Sequence, residues 1–162
     1  MIPVIETERL FLRGMVRRDF PAFMAIWREP EVVRFIGGKP FSEAESWGRF
    51  KGNAGSWVLG GHGQSGIFQK ADGVLLWQLG FFTASHGLGA DFNGEGSCVL
   101  CGKTQGQGYG PEAMMAAHDW FNAQIFGGGG WRMIDVGHVV TLRLAARFGY
   151  RWCEKRNLWA IV

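Results

Sequence analysis

The sequence predicts an α/β or α+β fold, one sheet with helices on its faces, and three observations carry that prediction. Apolar and polar residues alternate at period two near the N-terminus, apolar residues recur at spacings of three and four in several longer segments, and the middle of the chain carries short apolar runs punctuated by glycine. In order these make a strand, two helices, three strands, then helix, strand, helix and strand, a mixture that packs helices against a sheet.

The first strand is Arg9-Leu10-Phe11-Leu12-Arg13, which alternates as a half-buried strand does. From Asp19 to Trp27 the apolar residues Phe20, Phe23, Met24 and Trp27 fall at helical spacing, with Asp19 placed to cap and Pro21 in the first turn. A second helix is expected from Ser42 to about Lys51, opened by the capping-box pair Ser42 and Glu45. After Gly52, the runs Ser56 to Leu59 and Gly66 to Phe68 read as one long or broken strand, and Val74 to Phe82 as the next. The latter is apolar on both faces, as a central strand covered on each side would be. Glu95 to Cys101 is the fourth strand. Pro111 to Ile125 carries Met114, Ala117, Phe121 and Ile125 at helical spacing and ends in the run Gly127 to Gly130. Trp131 to Val136 is a strand, Thr141 to Arg147 a short helix, and Tyr150 to Cys153 opens the last strand.

The 162 residues are the size of one domain, and no Pro-, Ser- or charge-rich stretch divides them, so residues 1–162 are read as a single unit. With 47% hydrophobic and 19% charged residues the chain can bury a sizeable core and lies outside the disordered regime. Its N-terminus lacks a basic region followed by an apolar run, and no apolar stretch approaches the roughly 20 residues of a membrane helix. A soluble cytoplasmic protein is expected. Three cysteines, Cys98, Cys101 and Cys153, fit a reducing compartment. The net charge of +3 comes from scattered basic residues without a nucleic-acid-binding block, and suits a polyanionic small ligand.

Most of the 26 glycines are explained as turns, but one cluster reads as chemical. Thr104-Gln105-Gly106-Gln107-Gly108-Tyr109-Gly110-Pro111-Glu112 lies between the fourth strand and the longest predicted helix. A glycine-rich turn there frees backbone N–H groups to converge where the helix N-terminus adds partial positive charge, a geometry suited to a pyrophosphate. An ordinary strand-to-helix turn is the alternative. A dinucleotide fingerprint is disfavoured, since the glycines fall at 106, 108 and 110 and the loop follows several strands. A P-loop is disfavoured by the absence of Gly-Lys-Ser/Thr. Cys98 and Cys101 would face opposite sides of a strand, and no second Cys/His pair completes a metal site; two small strand residues are the simpler reading, and no metal is expected.

Gln105-Gly106-Gln107-Gly108-Tyr109-Gly110 resembles the Gln/Arg-x-x-Gly-x-Gly/Ala pyrophosphate loop of GNAT acetyltransferases. Glu6 to Arg13 is similar to the opening strand of the branch that acetylates ribosomal-protein N-termini. Asp19, Pro30-Glu31-Val32, Phe35-Ile36-Gly37-Gly38 and Leu142 to Tyr150 continue the likeness across nearly the whole chain. The resemblance implies a mixed, mostly antiparallel sheet of six to seven strands flanked by about four helices. It also implies acetyl-CoA as co-substrate, held by Cys98, Val99 and Leu100 of the fourth strand and by Gln105 to Gly110.

His138-Val139-Val140-Thr141 stands where this branch has an Asn-Ala-Ala-Ser-like stretch, so His138 would supply the hydrogen bond of the usual asparagine, and Thr141 a hydroxyl for the departing sulfur. A helix N-cap is the alternative role for Thr141. Glu95 matches a glutamate of the branch and would accept the amine proton directly or through water, against the alternatives of a solvated strand-end carboxylate and a competing Asp91. N–H groups near Val99 and Leu100 would polarise the thioester carbonyl. Neither Tyr109 nor Tyr150 matches the tyrosine acid of many GNAT enzymes. Trp27, Trp47, Trp57 and Trp77 are read as core first and as candidate acceptor-pocket walls second. Ending at Ile161-Val162 is early for this branch and implies a short or absent final strand, with part of the acceptor pocket either missing or supplied by a second subunit of a homodimer. The expected acceptor is a primary amine, on a protein N-terminus or a small molecule; a catalytically silent acyl-CoA-binding module is the alternative. No nucleic acid or membrane partner is expected.

Overall fold

A computed structural model describes residues 1–83, 94–100, 104, 106–124, 131–132, 139–153 and 158–160. Its strands are β1 (Ile5–Glu6), β2 (Leu10–Arg13), β3 (Gln64–Gln69), β4 (Leu75–Phe82), β5 (Glu95–Leu100), β6 (Trp131–Arg132), β7 (Arg151–Cys153) and β8 (Leu158–Ala160). The helices are α1 (Phe20–Trp27), α2 (Pro30–Val33), α3 (Glu43–Gly60), α4 (Tyr109–Gln124) and α5 (Val139–Arg147). All eight strands join one sheet in the order β1-β2-β3-β4-β5-β6-β8-β7. Only the β5–β6 pair among these is parallel, so the expected mixed, mostly antiparallel sheet is present with one or two more strands than predicted.

Alternation in β2 works as its sequence implies: Leu10 and Leu12 are buried, while Phe11 and Arg13 are half-buried. β1 was not anticipated. It exists because the chain reverses at Thr7, whose N–H donates to the Leu10 carbonyl at 3.0 Å, and pairs Ile5 with Leu12. β4 is central and buried along all but its last residue, as its continuous apolar run requires.

One face of the sheet packs on α4 through Ala113, Met114, Ala117 and Phe121 against Leu10, Leu12, Ile67, Trp77, Leu79 and Phe81. The second core joins Phe23, Ile26 and Trp27 of α1, Val32 and Val33 of α2 and Phe50 of α3 to Phe68 and Leu75 of the strands. A buried amide chain crosses from helix to sheet: Asn53 of α3 donates to Gln78 of β4 at 3.2 Å, and Gln78 donates to Gln64 of β3.

Two predicted elements need correction. The segment Ser56 to Leu59 is not strand but the C-terminal part of α3, which runs on past Lys51 to Gly60. The capping box of Ser42 and Glu45 starts this helix, and Gly61, in the left-handed region at φ 71°, ends it. The Trp57 indole decides the outcome: it donates to the Gln64 carbonyl at 3.0 Å and packs on Trp120, leaving Val58 and Leu59 exposed. Asp19, in turn, does not cap α1. Its carboxylate accepts from the Val16 N–H at 2.8 Å and takes a two-pronged ion pair from Arg13, at 2.8 and 3.1 Å, because Arg13 at the end of β2 lies directly beside it.

Candidate active site

The glycine-rich turn lies where the sequence predicts it, between β5 and α4. Gly106 and Gly108 both have φ near 80°, the left-handed region in which a side chain is strained. Gly106, Gln107 and Gly108 are exposed, whereas Tyr109 and Gly110 are buried as the first residues of α4. The helix thus starts two residues before Pro111, which occupies its first turn, where a missing N–H costs least. The Tyr109 side chain points into the protein, near Trp77 and under the Arg9 guanidinium at 4.4 Å. Only its backbone is left to face a ligand. Gln105 and His138 lie outside the described residues.

Beneath the turn sits an ion pair that was not recognised from sequence. Arg9 donates through Nε to Glu112 Oε2 at 2.7 Å and through Nη1 to the Gln107 carbonyl at 2.9 Å, and its backbone N–H reaches Glu112 Oε1 at 2.9 Å. The Thr7 hydroxyl donates to the same Oε1 at 2.5 Å. Partial burial pushes the Glu112 carboxyl up, but the bonds from Thr7 and Arg9 and the Arg9 charge outweigh it and hold the carboxyl below its ordinary range. The partners are 103 positions apart in the chain.

β5 brings Glu95 to the other end of the sheet. Glu95 pairs with Phe82 of β4 and, in parallel register, with Trp131 of β6. Cys98, Val99 and Leu100 pair with Leu79, Gln78 and Trp77, which brings the backbone expected to hold the acyl arm between Glu95 and the glycine turn. Arg49 of α3 stacks on Trp27 at 4.2 Å; burial lowers its pKa, and the negative charge of Glu95 opposes that fall. Glu95 therefore has a cation within electrostatic reach, a neighbour invisible in the sequence.

Thr141 lies inside the first turn of α5, which begins at Val139. Asp91 and Cys101 lie outside the described residues, and among the described residues no group of His, Cys, Asp and Glu is arranged for a metal. A groove of about 410 Å³ runs along α3, lined by Gly52, Gly55, Ser56, Leu59, Gly60 and Thr83. Thr83, one of the lining residues, follows Phe82, the cross-strand partner of Glu95. None of the four tryptophans suggested as pocket walls lines it: Trp27 and Trp77 are fully buried core, Trp47 packs with Phe20 and Phe50, and Trp57 against Trp120. No helix among the described residues is long and apolar enough to cross a membrane.

Residues 9–151 match the family model of the acetyltransferase (GNAT) domain. Among solved structures, an acetyltransferase from Agrobacterium tumefaciens superposes with a TM-score of 0.83 at 25% identity, covering 99% of this chain and 93% of its own. RimL, a ribosomal L7/L12 alpha-N-protein acetyltransferase in complex with coenzyme A, has a TM-score of 0.74 at 14% identity over 98% and 94% of the two chains. Spermidine N-acetyltransferase from Vibrio cholerae, in complex with CoA and spermine, has a TM-score of 0.71 at 12% identity over 95% and 93%. No curated protein sequence matches. The glycine turn opening α4 and the family match across both flanking elements lead to one conclusion: the chain belongs to the GNAT acetyltransferase family and is an acyltransferase.

Proposed function

We propose that residues 1–162 act as one acyl-CoA-binding unit that transfers an acetyl group from acetyl-CoA to a primary amine, on a protein N-terminus or a small molecule, by direct attack within a ternary complex. The observation that carries this reading is the exposed turn Gly106 to Gly108, left-handed at both glycines, running into the N-terminus of α4. Its backbone N–H groups and the helix dipole suit a pyrophosphate, and a side chain at Gly108 would come within 3.3 Å of Arg9. Proteins of the same fold are bound to CoA, one of them, a spermidine N-acetyltransferase, together with the polyamine spermine.

The bound thioester supplies an electrophilic carbonyl; the other tasks fall to this chain. Backbone N–H groups near Val99 and Leu100 polarise the carbonyl oxygen. The amine nitrogen bonds to the carbonyl carbon as the carbon–sulfur bond breaks. Glu95 takes the amine proton, directly or through water. The Thr141 hydroxyl hydrogen-bonds the departing sulfur, and His138 stands in for the asparagine of related sequences. The amine approaches along the groove beside α3, whose lining residue Thr83 follows the cross-strand partner of Glu95. Orientation of amine and thioester supplies much of the rate, on the order of 7–11 kcal/mol in favourable cases.

The test is release of free thiol from acetyl-CoA across a panel of small amines and peptide N-termini. Amine-dependent release is expected; CoA binding without such release would overturn the transfer reading and leave a binding module. Glu95→Gln should slow turnover by about 10²-fold or more, most at low pH, with acetyl-CoA affinity little changed. An unaltered pH-rate profile removes Glu95 from the base role. Thr141→Val should slow single-turnover transfer at constant thermal stability, and the opposite pattern would assign Thr141 to structure alone.

A further inference from the structure

We propose that Arg9, held by Glu112 and Thr7, is a positioning residue for the acyl-CoA pyrophosphate: it orients the peptide between Gln107 and Gly108 so that the N–H of Gly108 faces the ligand. This inference rests on the proposed acetyl-CoA site. In a trans peptide the carbonyl of one residue and the N–H of the next point in opposite directions. Arg9 Nη1 donates to the Gln107 carbonyl at 2.9 Å, which holds that oxygen on the Arg9 side of the turn. The Gly108 N–H thereby points away from Arg9, to the side on which a phosphate would lie, and the carbonyl dipole that would repel an anion is engaged by the guanidinium.

Three further contacts explain why Arg9 orients the turn and does not itself act as the anion's ligand. Its Nε and Nη2 both lie 2.7 Å from Glu112 Oε2, so its charge is offset by a carboxylate on the first turn of α4. Its guanidinium carbon lies over the Tyr109 ring, 4.4 Å from the ring centre. Its own backbone is clamped on both sides, the N–H by Glu112 and the carbonyl by the N–H of Lys70 at 2.9 Å, so the guanidinium is anchored to the sheet through β2. Glu112 is fixed in turn by the Thr7 hydroxyl, which accepts from the Leu10 N–H at 3.0 Å. A side chain at Gly108 would meet Arg9 Nη2 at 3.3 Å, so the left-handed glycine and the arginine are fitted to each other. Lysine would lack the fork needed to hold Glu112 and the Gln107 carbonyl together.

The experiment compares acetyl-CoA with acetyl-pantetheine, which carries the same thioester but no pyrophosphate. In Arg9→Met, kcat/KM for acetyl-CoA should fall roughly tenfold or more through KM, the scale of one charge-assisted hydrogen bond, while kcat/KM for acetyl-pantetheine and kcat for either substrate stay near wild type. Equal losses for both substrates would reduce Arg9 to a general structural role and overturn the inference, as would unchanged kinetics for both. Arg9→Lys and Glu112→Gln supply the same readout where the methionine variant fails to fold, and each should show a smaller loss confined to acetyl-CoA. Wild-type protein that binds no CoA would overturn the acetyl-CoA site itself, whereas wild-type binding matched by all three variants overturns only the role of Arg9.

Discussion

Gly108 shows how one residue ties backbone conformation to ligand chemistry. Its φ of 80° is open to glycine at little cost, and the space a Cβ would occupy ends 3.3 Å from Arg9. Gly108→Val is therefore expected to weaken acetyl-CoA binding at least about tenfold by strain in the turn, with the circular dichroism of the fold retained. Calorimetric titration checks this, and a folded variant of undiminished affinity would move the pyrophosphate elsewhere. At the same scale, the pattern of glycines and the proline after them was readable in sequence because turn chemistry is local. Arg9 was readable only as an outward residue of an alternating strand.

At the scale of elements, α3 is the helix whose length the sequence concealed. Gly48, Gly52 and Gly55 interrupt it, and each is unfavourable relative to alanine by up to about 1 kcal/mol in a helix interior. The Ser42–Glu45 capping box, the Asn53–Gln78 hydrogen bond and the Trp57 contacts hold the helix despite them. A Cβ at Gly48 would meet nothing within 4 Å, and its φ is not left-handed. Gly48→Ala should accordingly stabilise the protein by about 0.4–1 kcal/mol and raise the thermal midpoint without altering acyl transfer. A lowered midpoint would mean that something unseen packs against that position.

For the whole molecule, one buried and one partly buried carboxylate tie the N-terminal hairpin to its surroundings: Asp19 to Arg13 at the end of β2, and Glu112 of α4 to Thr7 and Arg9 just before β2. Burial opposes ionisation of both, yet hydrogen bonds and neighbouring arginine charge leave each below its ordinary value of 4.5 or 3.8. A carboxyl with a depressed folded pKa stabilises the fold fully above its unfolded pKa, and that contribution is lost as pH falls through the folded value. Thermal stability should thus start to decline below about pH 4.5, and the double variant Asp19→Asn, Glu112→Gln should be less stable at neutral pH but flatter across the acid range. Parallel pH-stability curves for the two proteins would deny these carboxylates a part in acid unfolding.

The sequence by itself determined the class of fold, the order of most elements, the central position of β4 and the place of the glycine turn. Each depends on residue periodicity or turn chemistry within a few positions, which the backbone expresses whatever surrounds it. Tertiary structure alone decided that Ser56 to Leu59 would be helix, since Trp57 found the Gln64 carbonyl and Trp120 where a strand would have needed a ladder partner. It alone brought Arg9 to Glu112, set Arg49 in reach of Glu95 and turned Asp19 from the helix end to Arg13. Whether the partners are six residues apart, as Arg13 and Asp19 are, or 103, as Arg9 and Glu112 are, such pairings follow from which faces pack and in what register, quantities that no local pattern encodes.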